Sequence, residues 1–200
     1  MQKLQRSCIK NIPSFLNAMI ITVSGMAGSG KSTLAKNLAQ ALGFKHYSAG
    51  DLTRAYAKEK DMTLIALQQL EAKDPAIDKE IDARSVLLAN KNKNFVLDAW
   101  LGFHFLPHSV KIYLTVDREE AARRIFHAMR SDEQYNTSLE ATRKKMQERI
   151  AVNKERWQRY YGVDIEDRNN YDLLIDTTHK EKEEVLKEAL AFVEKTEAKK

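Results

Sequence analysis

The run Gly25-Met26-Ala27-Gly28-Ser29-Gly30-Lys31-Ser32 carries the plainest chemical signal in the chain. It satisfies G-x-x-x-x-G-K-[ST] at every fixed position, a spacing that builds a cradle for phosphate groups. Glycines at 25, 28 and 30 allow a tight turn that aims backbone N–H groups at phosphate oxygens. The helix beginning near Thr33 adds unpaired N–H groups and the positive end of its dipole. Lys31 is long enough to reach β- and γ-phosphates, and the Ser32 hydroxyl suits Mg²⁺. The alternative is a glycine-rich turn that matches by chance, and the flanking sequence counts against it. The expected ligand is a nucleoside triphosphate.

Three further groups could act beside that cradle. Phe95-Val96-Leu97-Asp98 reads as an apolar strand closed by an acid, and Asp98 could hold Mg²⁺ or its water. Arg54 follows the capping residues Ser48 and Asp51; it is either a phosphate clamp, since guanidinium forks match phosphate oxygens, or a surface cation. Arg149, Asn153 and Arg156 stand at i, i+4 and i+7, on one helical face. With Arg123, Arg124 and Arg130 on the preceding helix and a polar tip over 131–137, they describe either a lid or a solvated helix pair.

The elements that must position these groups follow from periodicity. Met19-Ile20-Ile21-Thr22-Val23 reads as a buried parallel strand, and residues 33–42 as a helix with Leu34, Leu38 and Leu42 on one face, stopped by Gly43. Phe44–Tyr47 is a second strand. Residues 61–90 are helical and polar, with Asp74-Pro75 starting a helix that aligns Ile77, Ile81 and Ser85. They form either a mobile flap or a solvated helix pair. Leu101–Pro107, with Trp100, Phe103 and Phe105, reads as a packed aromatic loop. Val110–Val116 is a fourth strand, Asp117 caps the next helix, and a long helix runs from about Leu139 to Tyr160. Asp172–Asp176 is a fifth strand, and the last helix, about Lys180–Lys195, turns Val185, Ala189 and Val193 inward. Alternating β and α units predict an α/β fold, a three-layer sandwich around a five-stranded parallel sheet.

Composition limits the function classes. Of 200 residues, 43% are hydrophobic and 30% charged, as in a globular protein, and no apolar run nears membrane-spanning length. A single cysteine, Cys8, excludes an internal disulfide and suits a reducing compartment. The net charge is +5, of which residues 1–18 supply +3, and residues 118–160 carry eleven Lys/Arg against seven Asp/Glu. Such a cluster suits a polyphosphate clamp better than a nucleic-acid face, and no nucleic-acid motif accompanies it. Residues 1–18 read as an extension outside the fold, either a targeting segment or the product of an upstream start codon, and 19–200 as the domain.

Beyond these signals the chain resembles the nucleoside monophosphate kinases, most closely the short archaeal-type cytidylate kinases. The likeness rests on Ile21–Ser32, on His46-Tyr47-Ser48-Ala49-Gly50-Asp51 with Arg54, and on Lys73-Asp74-Pro75 with Asp78-Lys79-Glu80-Ile81-Asp82 and Arg84. Lys111–Thr115, Tyr161–Ile165 and Tyr171–Thr177 extend it across about residues 19–178. The resemblance implies a P-loop NTPase fold with an acceptor-binding flap over about 51–90 and a helical lid over about 123–160. It implies transfer of the ATP γ-phosphoryl group to a pyrimidine nucleoside monophosphate such as CMP or dCMP, with Mg²⁺. The chain is expected to be a cytoplasmic monomer that engages neither nucleic acid nor membrane. Ser48, Gly50 and Arg54 would hold the acceptor; Lys31, Asp98 and the lid arginines Arg149 and Arg156 would serve the transfer.

One departure from the pattern matters. The family's acid-Gly-Arg after the third strand is Asp98-Ala99-Trp100 here. The change leaves open a weaker acceptor site, a substitute cation such as His104 or Arg84, a different small-metabolite acceptor stacked on Trp100, or a non-catalytic ATP-binding protein.

Overall fold

A computed structural model describes residues 18–71, 73–128 and 138–198. Five parallel strands form one sheet in the order β2-β3-β1-β4-β5. They are β1 (Met19–Gly25), β2 (Lys45–Ser48), β3 (Asn94–Asp98), β4 (Val110–Thr115) and β5 (Leu173–Asp176). The helices are α1 (Lys31–Leu42), α2 (Ala49–Glu59), α3 (Leu64–Glu71), α4 (Pro75–Lys91), α5 (Gly102–Phe105), α6 (Arg118–His127), α7 (Leu139–Tyr161) and α8 (Lys182–Glu197). The predicted parallel α/β sheet is therefore present, and this is a P-loop NTPase fold.

The central strand explains the order. β1 is buried along nearly its whole length, which suits its apolar run, because a parallel strand covered on both faces needs no polar side. Its two polar side chains are both satisfied: Thr22 Oγ1 meets Ser109 Oγ at 3.0 Å, and Ser24 Oγ donates to the Ala99 carbonyl at 2.9 Å. On one face the predicted leucine stripe of α1 (Leu34, Leu38, Leu42) and the Val185, Ala189, Val193 stripe of α8 close on Ile21, Val23 and Ile112. On the other, Phe95 and Leu97 pack with Leu106 and Tyr47. The helices after β2 carry a small core of their own, Tyr56, Ala57, Leu67 and Ile81.

Two local expectations change. The stretch 101–107 is not a plain loop but contains α5, whose turn is closed by the Phe105 and Leu106 N–H groups donating to the Leu101 and Gly102 carbonyls. A single helical turn is too short for a 3.6-residue pattern to show. Ser48 occupies the N-cap position of α2, yet its side chain makes no capping bond, and Asp51 lies in the first turn instead. By contrast Asp74, Asp117 and Ser138 cap α4, α6 and α7 with side-chain acceptors. Arg130, the 131–137 tip and the 1–17 extension lie outside the described residues.

Candidate active site

The glycine loop joins the end of β1 to α1, and sterics fix its path. Gly25 has φ 145°, and a Cβ there would run into the Leu114 carbonyl oxygen; Gly28 has φ 77°, and a Cβ would lie 2.7 Å from the Ala121 carbonyl oxygen. Met26 and Ala27 rest on Val116, Ala121 and Met146, so α6 and α7 pack beneath the loop. From behind, the Thr177 hydroxyl donates toward the Ser29 and Thr115 carbonyl oxygens, at 3.1 and 3.0 Å. Arg124, expected with the lid cations, instead donates to the Thr177 and Thr178 carbonyls and pairs with Glu120. It staples α6 to the turn after β5.

Three of the candidate side chains lie at the mouth of that loop. Ser32 Oγ donates to Asp98 Oδ2 at 2.5 Å, joining the start of α1 to the end of β3. Asp98 is buried. Lys31 Nζ donates to the Met26 carbonyl at 3.0 Å and lies 4.6 Å from the centroid of the Trp100 ring. Gly30 and Thr33 are exposed on the same rim. A hydroxyl and a carboxylate this close are hard oxygen donors of the kind Mg²⁺ takes, which binds through one or two protein oxygens alongside phosphates and water. The residues therefore fit the ion. Among the described residues no group of three or more His, Cys, Asp or Glu gathers as a metal cage.

The acceptor candidates lie next to this mouth because of strand register. Asp98 is paired with Val23 of β1 and with Ser48 of β2, so the ends of three parallel strands open on one edge. Gly50 has Ser48 Oγ and both terminal nitrogens of Arg54 within 3.6 Å of where its Cβ would be. Arg54 and Asp51 form an exposed pair at 2.5 Å. Of the two substitute cations, Arg84 makes a bidentate pair with Glu59 (2.8 and 2.6 Å) and lies over the Tyr56 ring. His104 sits against the Phe105 and Tyr161 rings, and desolvation lowers its pKa, favouring the neutral imidazole.

The arginines of α7 divide. Arg149 is exposed. Arg156 is largely buried, 3.2 Å from Glu71 of α3 and 3.5 Å from Asp78 of α4. Asp82, one turn beyond Asp78, accepts from the Tyr161 hydroxyl at 2.7 Å. Burial raises the carboxyl pKa of Glu71 and Asp78, with Arg156 opposing, and lifts Asp82 to about 7. Two carboxylates on Arg156 and a third on the Tyr161 hydroxyl thus join α3 and α4 to the end of α7. No local sequence pattern marks Glu71 or Tyr161 as a site residue. Asp78 and Asp82 stand at i, i+4 in the sequence, but their partners Arg156 and Tyr161 lie 78 and 79 positions away.

A model of the cytidylate kinase-like family matches residues 20–179. A cytidylate kinase of Thermococcus kodakarensis is 42% identical over 162 residues, covering 80% of each chain. An S-adenosylmethionine-dependent nucleotide dehydratase of Lacinutrix mariniflava is 41% identical over 158 residues, 78% of this chain and 32% of that protein, so this chain spans about a third of its length. Among solved structures, shikimate kinase from Acinetobacter baumannii superimposes with a TM-score of 0.59 at 16% identity, covering 92% of this chain and 97% of that one. At that identity the likeness shows fold alone.

Proposed function

This chain belongs to the cytidylate kinase-like family of nucleoside monophosphate kinases, and on that premise we propose that it transfers the ATP γ-phosphoryl group to a pyrimidine nucleoside monophosphate, CMP or dCMP. The observation that carries the reading is the shared edge of β1, β3 and β2. It puts the triphosphate loop, Asp98 and the Ser48–Gly50–Arg54 corner side by side.

Phosphoryl transfer needs little covalent help; it needs two substrates held in line, cations on the spreading charge, and water kept out. The loop N–H groups and Lys31 hold the donor phosphates. Ser48, Gly50 and Arg54 hold the acceptor phosphate. Ser32 and Asp98 hold Mg²⁺, which when bound neutralises phosphate charge. Helices α2–α4 act as the acceptor flap, and α6–α7 as a lid whose Arg149 and Arg156 close over the transferring group. Arg156 reaches that position by exchanging Glu71 and Asp78 for phosphate. Arg84 joins the acceptor site on the same terms, by leaving Glu59. No helix among the described residues is long and apolar enough to cross a membrane. The lone cysteine supports a reducing compartment, and the reading is of a cytoplasmic monomer without a nucleic-acid partner.

The deciding experiment measures ADP release by the full chain with Mg²⁺-ATP and a panel of monophosphates. CMP and dCMP should stimulate turnover most. Arg54→Ala should raise acceptor KM about ten- to a hundred-fold, the worth of a charge-assisted phosphate contact, with ATP affinity unchanged. Binding of ATP with no response to any monophosphate would overturn the proposed reaction.

A further inference from the structure

Trp100 stands where the pattern has an arginine, and the structure sets two groups against its ring. The Lys31 ammonium lies over it at 4.6 Å, and the Trp157 ring of α7 packs against it at a centroid distance of 5.3 Å and a tilt of 43°. Trp157 is buried in a cluster with Leu101, Phe103 and Ile165. The indole is therefore anchored on one side by a fixed aromatic core and offers a π-face to the one lysine of the phosphate loop. A ring so engaged is poorly placed to stack on a substrate base.

We infer that Trp100 is a positioning residue for Lys31: its π-face holds the ammonium at the loop mouth, ordered for an incoming triphosphate, and its contact with Trp157 links that lysine to helix α7. A lysine side chain has much rotamer freedom to lose on binding. An aromatic face attracts the cation without competing as a hydrogen-bond acceptor, so phosphate oxygens can still engage it. A guanidinium at the same place would repel Lys31; the indole draws it in. The inference rests on the triphosphate-binding reading of the loop and is independent of the acceptor.

The chain has two tryptophans, so its indole emission reports this pair. In the wild-type chain, without acceptor, ATP should change that emission, inorganic tripolyphosphate should reproduce the change, and adenosine should not. Lys31→Met should shift the emission with no nucleotide present, because the cation leaves the ring. Trp100→Leu, which keeps bulk but loses the π-face, should weaken ATP binding about fivefold, and Trp100→Phe should stay within about twofold of wild type. Melting curves establish that the variants are folded, and the wild-type emission tests stand without them. Unchanged ATP affinity in a folded Trp100→Leu, or wild-type emission indifferent to ATP and tripolyphosphate, would overturn the inference. ATP binding that depends on Trp100 in a chain that phosphorylates no monophosphate would instead overturn the proposed reaction and leave this one intact.

Discussion

The two halves of the candidate site are held in opposite ways. On the donor side the loop path is fixed by backbone contacts with Leu114 and Ala121 and by the Thr177 hydroxyl behind it. On the acceptor and lid side three arginines already have carboxylates: Arg54 has Asp51, Arg84 has Glu59, and Arg156 has Glu71 and Asp78. On the proposed reading the donor cradle is preformed, and the acceptor side is a set of ion pairs, each of which an incoming phosphate would enter or replace. Preorganisation lowers the cost of binding, whereas exchangeable pairs allow closure to depend on the substrate.

The largest expected effect breaks the rigid half. Gly25→Ala sets a methyl against the Leu114 carbonyl and forces a side chain onto φ 145°, so nucleotide-stimulated stabilisation in a thermal melt should disappear. Retained ATP stabilisation in that variant would mean that the loop tolerates displacement and is not rigid.

A smaller effect sharpens the exchangeable half. Glu71→Gln removes one charge from the pair with Arg156 but keeps an acceptor, and Asp78 remains. The melting temperature should fall by about 5 °C, because a largely buried pair is weakened. Acceptor KM should also fall, by about threefold, since Arg156 is released more readily. A KM that rises would show that Glu71 helps to place Arg156 rather than restrain it.

The smallest effect is a matter of pH. Burial lifts the Asp82 carboxyl to about 7, far above its value in an unfolded chain, despite the Tyr161 hydrogen bond that works the other way. The folded protein thus keeps a proton that the unfolded chain gives up near pH 4. The stability this supplies is full below about pH 4 and is lost as pH rises through about 7. Asp82→Asn stays neutral throughout. Its melting temperature should lie close to wild type near pH 4.5 and exceed it by several degrees at pH 8. An equal gap at both pH values would assign the difference to packing.

The chain's own residues determined much of this. The glycine spacing, Lys31 and Ser32, the leucine stripe of α1 and the inward stripe of α8 are local patterns, each readable within one or two helical turns. They set the parallel α/β fold and the glycine loop, because periodicity and backbone sterics act at short range. Asp98 was readable for the same reason, as the acid that closes an apolar strand. Only the tertiary structure decided which arginine meets which carboxylate. Arg124 was legible as a lid-side cation, yet it secures the turn after β5. Arg156 was legible as one face of a helix, yet it lies between Glu71 and Asp78, more than seventy residues away in sequence. The place of Trp100 between Lys31 and Trp157 is of the same kind. Charge and ring contacts form wherever packing brings side chains together, and no spacing along the chain encodes that meeting.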